Sequence, residues 1–420
     1  MDRRVSFHTQ TITNASQLLV LSMWILFVIT LSGCSSDDTA KRATTEEVNA
    51  TRIDLQNAFN EWREDERITG ATMSVYSPTY GQYDLASGLS KRSIDPDRSP
   101  DVAVWPDNPM FVGDITHVLV AATVIQLDLE ELLNLEADIE KWFPEIENSK
   151  NITIRNLLEH TSGVPVFYTA EFLDVLYEQE PAVTQDHDEV IAVAAAEGSF
   201  FDPGSQYGYS KTNFLILGRI IEIVTGNSLH GEFQKRFFDP LGMTNTYLAG
   251  TALDSSSTPL GYEYAGLSSD APTVVDGHVP QVPTHSVVSA EWASGALVST
   301  PADVIKLVQV IFQLDDFEGV REEMLRVADH PAQASGSSRI ESGAGVFTWT
   351  ENDQRVIGQF GFIYPFSAQF VYWPDSGSKD GTVIVVIANE VDSSRNPNSN
   401  FQLPVIENLT REVKMILDGG

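Results

Sequence analysis

The chain has 420 residues, 42% hydrophobic and 20% charged, an ordinary globular balance with apolar material for a sizeable core. Lys and Arg number 26 against 59 Asp and Glu, a net charge of −33 spread along the chain, and so acidic a surface repels phosphates and excludes nucleic-acid binding. A single cysteine, Cys34, excludes an intrachain disulfide, so stability must come from the core.

Arg3 and Arg4 give a basic start, and residues 18–31 run apolar. That run is short for a membrane span and has the length of a signal-peptide core. It ends in Leu31-Ser32-Gly33-Cys34, which resembles the bacterial lipobox, where cleavage precedes a lipidated cysteine. The expected organisation is a lipoprotein signal peptide over 1–33, lipidation at Cys34, a polar tether over 34–50 and one folded domain over 51–420. An uncleaved N-terminal anchor is the alternative. Both put the body outside the cytoplasm on a membrane of the bacterial envelope, and Ser35 after the cysteine resembles the outer-membrane or periplasmic pattern.

Periodicity predicts a helix over 53–65, then a hairpin from 71–76 and 83–86 around Pro78-Thr79-Tyr80-Gly81. Apolar helical segments follow over 114–133, 154–160 and 213–225, the last stopped by Gly226. Another is expected over 302–314 behind Ser299-Thr300-Pro301. Residues 346–349, 355–359, 368–372 and 382–388 read as strands, and 403–417 as an amphipathic closing helix. The fold class expected is α/β (α+β): one antiparallel sheet built from both ends of the chain, flanked by helices, with a helical insertion.

Several stretches carry a resemblance. Ile152-Thr-Ile-Arg-Asn-Leu-Leu-Glu-His-Thr-Ser-Gly-Val-Pro165 is nearly "ITIRxLLxHTSGLP". Pro203-Gly204-Ser205 leading to Tyr209-Ser210-Lys211-Thr212-Asn213-Phe214 is similar to "PGxxxxYSNxxY". Leu217-Gly218, Thr225-Gly226 and Pro240-Leu241-Gly242-Met243 continue the pattern, and Ser294 to Thr300 with Asp303 resembles "AGGLxSTxxD". Over about residues 60 to 395 the chain thus resembles the serine β-lactamase-related family, which includes penicillin-binding D-alanyl-D-alanine carboxypeptidases and some esterases. The resemblance implies a sheet domain and a helical domain with the site between them. It also implies an acyl-transfer mechanism: a serine nucleophile at a helix start, a lysine three residues on, a tyrosine acid/base, a cationic third motif and backbone N–H groups as oxyanion hole.

The polar positions depart from that pattern. Phe111-Val112-Gly113-Asp114 stands for "FxxGS", which puts Asp114 at the serine position and His117 at the lysine position. Asp is a favoured helix N-cap, and that is the simplest reading of Asp114. Tyr209 fits the second motif, but Lys211 replaces its asparagine; pairing of Lys211 with Asp114 is simpler than a displaced lysine base. The third motif falls at Gln359-Phe360-Gly361, without the usual cation. The only Ser-x-x-Lys, Ser376 to Lys379, sits in a Gly- and Asp-rich turn; Ser162 and Ser210 lie where the family uses serine structurally; and no Gly-x-Ser-x-Gly elbow exists. Asp114 and His117 alone fall short of the three protein ligands of a catalytic zinc, so no metal or other cofactor is expected. Two functions follow. One is a catalytically degenerate, lipid-anchored binding or regulatory module with a small molecule or an envelope protein in its cleft. The other is a hydrolase of altered mechanism using Tyr209, His117 or Lys211.

Overall fold

The computed structural model describes residues 42–93, 99–250, 259–264, 278–327, 333–335, 338–375, 380–391 and 403–419. The chain divides into two compact units, Met1–Ala40 and Lys41–Gly420, and every described residue belongs to the second. The signal segment, Cys34 and the Ser376 to Lys379 turn lie outside the described residues.

The first helix, α1 (Thr45–Asp65), starts well before the predicted position and inside the stretch read as tether. Its cause is a capping box: Thr44 accepts from the Glu47 backbone while the Glu47 carboxylate accepts from Thr44 N–H. Leu55, Phe59 and Trp62 form its buried stripe. The hairpin follows as β1 (Gly70–Ser77) and β2 (Gly81–Lys91), both longer than expected, with a two-residue edge strand β3 (Val102–Ala103).

Near the C-terminus come β4 (Gln333–Ser335), β5 (Ser338–Ser342), β6 (Phe347–Glu351), β7 (Gln354–Ile363), β8 (Phe366–Pro374) and β9 (Gly381–Ala388). Together they make a nine-stranded antiparallel sheet in the order β3-β2-β1-β9-β8-β7-β6-β5-β4. Strand β1 pairs with β9 from Ala71↔Ala388 to Tyr76↔Val383, so the sheet is closed by both ends of the chain as expected.

Strand β9 is apolar from Val383 to Ala388 because both its faces are covered. Ile384, Val386 and Ala388 pack with α1 and the terminal helix Leu403–Asp418. Val383, Val385 and Ile387 alternate to the other face and join the helical core.

That helical part is built from α2 (Thr116–Leu129), α3 (Thr212–Thr225), α4 (His285–Gly295) and α5 (Pro301–Gln313), with shorter turns between. Helix α2 is buried on every side from Thr116 to Ile125, hence its lack of a polar face. Residues 114 and 115 do not belong to it, as the sequence had suggested, but to a separate 3₁₀ turn, Gly113–Ile115. Helix α3 ends on Gly226 at φ 71°, and α5 opens with Thr300 as cap and Pro301 in its first turn, both as predicted. A small sheet of Met110–Phe111, Leu297–Ser299 and Tyr247–Leu248 pins the start of α2 beside β7.

Candidate active site and its ion-paired floor

Two backbones cross in contact at the foot of the cleft. Gly113 has φ +52°, and a Cβ there would lie 2.2 Å from Phe362 N; a Cβ on Gly361 would lie 1.8 Å from the Val112 carbonyl oxygen. Only glycines allow this approach. It sets the Asp114 side chain directly against β7. Its Oδ2 accepts from Phe362 N–H at 3.2 Å, and its Oδ1 accepts from the Tyr209 hydroxyl at 2.7 Å and faces Lys211 Nζ at 3.1 Å. Asp114 is only 4% exposed.

Asp114 is therefore not the helix cap that the sequence suggested. Neither the 3₁₀ turn nor α2 has a side-chain cap bond. A cation, a phenol and an N–H converge on the carboxylate from other elements and outcompete the local helix end.

Lys211 is the hub of the floor. Its three ammonium protons meet three acceptors: Asp114 Oδ1, Glu291 Oε1 at 2.8 Å and the Phe362 carbonyl at 3.1 Å. Burial by itself would lower its pKa, but the two carboxylates together hold it above the ordinary lysine value. The pairing with Asp114 expected from sequence is present.

Glu291 escaped the sequence reading. It is 1% exposed, accepts from the Tyr168 hydroxyl and from Ser294 Oγ at 2.9 Å, and sits where α4 breaks at Trp292 (φ 29°, ψ −107°). The available signal was one acid among the small and apolar residues of 286–297. Burial first, then Glu291, pushes the Tyr168 phenol well above its usual value; burial and Asp114 do the same to Tyr209.

The remaining predicted positions are near the floor but not on the cavity wall. His117 is fully buried and stacks on Phe214 at 3.7 Å and 8°. Its Nε2 is 3.8 Å from Asp114 Oδ1, beyond hydrogen-bond length. Burial, then the Lys211 charge, holds its pKa well below the usual value, so the imidazole is neutral. Gln359 donates from Nε2 to the Gly345 carbonyl at 2.9 Å and accepts from Phe360 N–H, so its amide is tied inside the structure. Gly361 serves the backbone crossing.

The motif serines hold loops together. Ser162 Oγ donates to Asn213 Oδ1 at 2.7 Å, and Ser210 Oγ donates to the Pro165 carbonyl at 3.0 Å. Ser210 N–H also donates to His160 Nδ1 at 3.2 Å. Among the described residues, no group of three or more His, Cys, Asp or Glu is gathered for a metal ion.

Above the floor opens a cavity of about 700 Å³. Asp114, Lys211, Glu291, Tyr168, Tyr177 and Tyr209 form its polar part. Chemically this is an anion–cation–anion row roofed by phenols, with Asp114 at the position of the implied serine.

The chain belongs to the beta-lactamase family, whose profile matches residues 55–404. Among curated proteins it is similar to Protein flp of Staphylococcus aureus (strain N315), 24% identical over 355 residues, covering 82% of this chain and 63% of that protein. It is also similar to Penicillin-binding protein 4 of Amycolatopsis lactamdurans, 28% identical over 197 residues, covering 45% of this chain and 47% of the other. The chain thus spans less than two thirds of the length of these relatives. Its fold is that of D-amino acid amidase from Ochrobactrum anthropi SV3, with TM-score 0.71 at 20% identity over 89% of this chain and 99% of the other. The octameric penicillin-binding protein homologue from Pyrococcus abyssi shares the fold at TM-score 0.65 and 21% identity, covering 80% and 73%.

Proposed function

We propose that this protein is an exported, lipid-anchored member of the beta-lactamase family that keeps the cleft as a binding or regulatory module without acyl transfer. The observation that carries the reading is the Asp114 carboxylate, fixed by Lys211, Tyr209 and Phe362 N–H at the position of the family's nucleophile. A carboxylate held as one partner of an ion pair is a weak nucleophile, and its acyl product would be an unstable anhydride. Phe362 N–H, a natural donor for a developing oxyanion beside that position, is already occupied by Asp114 Oδ2.

The hydrolase alternative lacks a base. His117 is neutral but has no hydroxyl to activate, and Lys211 is held as the ammonium. Tyr209 keeps its proton because its pKa is raised. A small molecule or an envelope protein would occupy the cleft, and Cys34 would carry the lipid anchor to the envelope.

Labelled penicillin and a fluorophosphonate test this on the purified protein. Neither is expected to leave a covalent adduct, while Asp114→Ser/His117→Lys/Lys211→Asn gains labelling at residue 114. A stable adduct on any serine of the parent protein refutes the reading. Palmitate labelling that survives Cys34→Ala would refute the anchor.

A further inference from the structure

The cavity has few free donors. All three Lys211 protons are taken, the Tyr209 and Tyr168 hydroxyls donate to Asp114 and Glu291, and Gln359 Nε2 is bonded to Gly345. Lys211 is the one cation among the described lining residues, against two carboxylates. Asp114 Oδ2 holds a single long bond of 3.2 Å and keeps acceptor capacity. Beside it, Tyr177, Phe362 and Tyr364 present aromatic rings, and Leu173 and Val287 aliphatic surface.

We propose that this cavity binds an organic ammonium ion, a primary amine on an apolar or aromatic body, with the ammonium at Asp114 Oδ2 and the body against the rings. The inference deepens the non-catalytic reading and rests on it in one respect: Asp114 is taken as a ligand-binding group rather than a reacting one. Two carboxylates and one ammonium, all on buried residues, leave one negative charge at the cavity floor, where a counter-ion gains more than it would in bulk water. Ring faces attract cations as well. The volume of about 700 Å³ suits a small organic molecule. A carboxylate ligand of the same shape would meet two carboxylates with no free ammonium, so the sign of the ligand's charge decides binding.

Three probes on one phenethyl body differ in charge, the amine and the alcohol being near-isosteric: phenethylamine, 2-phenylethanol and 3-phenylpropanoate, titrated calorimetrically into the full chain at pH 7 and physiological salt. Phenethylamine is expected to saturate one site at least about tenfold more tightly than the alcohol, and the acid not to bind. Asp114→Asn should weaken the amine about tenfold and leave the alcohol unchanged, which separates the cavity from the acidic surface. Should that variant fail to fold by thermal melt, the parent is titrated at rising salt: the amine should weaken and the alcohol should not.

Tighter or equal binding of 3-phenylpropanoate, no probe binding to the folded protein, amine affinity indifferent to Asp114→Asn, or amine affinity indifferent to salt each overturns the proposal. Missing amine binding without a penicillin adduct removes this inference alone. A penicillin adduct removes the non-catalytic reading whatever the amine does.

Discussion

Replacing Lys211 with Met removes the only cation between Asp114 and Glu291 while keeping most of the side-chain volume. Among the described residues, the two carboxylates, 4% and 1% exposed, then retain Tyr209, Tyr168, Ser294 and Phe362 N–H as donors. Removing one partner of a buried ion pair costs about 3–5 kcal/mol. The low end is expected, about 3 kcal/mol, because neutral donors remain on both carboxylates. Urea denaturation followed by circular dichroism measures the gap between parent and variant.

The gap should depend on pH through Lys211. Lys211 has a folded pKa above its ordinary value, so its contribution is complete below about pH 10.4 and is lost as pH rises through the folded value. The Lys211→Met/Glu291→Gln double variant should recover most of the loss. A gap under about 1 kcal/mol would refute the ion-paired floor.

His117 gives a second prediction with the opposite pH sign. Its folded pKa is depressed, so its contribution is present above about pH 6.5 and lost as pH falls below that. His117→Leu should therefore flatten the acid loss of stability between about pH 6.5 and 4.5, by up to ~1.4 kcal/mol per pH unit; identical slopes would count against a buried neutral imidazole. His160, lowered for the same reason of burial, keeps a residual slope in both proteins. Gly361→Ala should abolish soluble folded protein or cost more than about 3 kcal/mol, since its Cβ would lie 1.8 Å from a carbonyl oxygen. Gly226→Ala, with φ +71° and open space around it, should cost only about 1 kcal/mol by the same denaturation assay.

Much of the fold was legible because both sheet faces and the helical core impose periodic apolar patterns. The hairpin, the four predicted C-terminal strands and the helices ending at Gly226 or opening at Pro301 lie where the pattern put them, though the strands run longer. Two-residue strands such as Val102–Ala103 and Met110–Phe111 are too short to show a period. Asp114 was identified as the foreign residue, yet its cap reading failed. A cap is a local property, whereas its donors come from residues 95 and 248 positions away. Glu291 was missed for the same reason: an acid in a small-residue run looks like an exposed turn until its cation is known. His117 and Gln359 occupy motif positions of the site, but both side chains are buried behind its floor and neither lines the cavity.

Strand β1 finds its central partner β9 more than three hundred positions later in the chain. Until residues 381–388 are available, the hairpin of β1 and β2 has an apolar edge with unpaired backbone groups. A truncation removing β9 leaves the helical residues covalently intact but strips β1 of its neighbour, creating a template for strand-to-strand association between molecules. Loss of a short C-terminal piece should consequently show itself as aggregation rather than as a soluble protein with a weakened site.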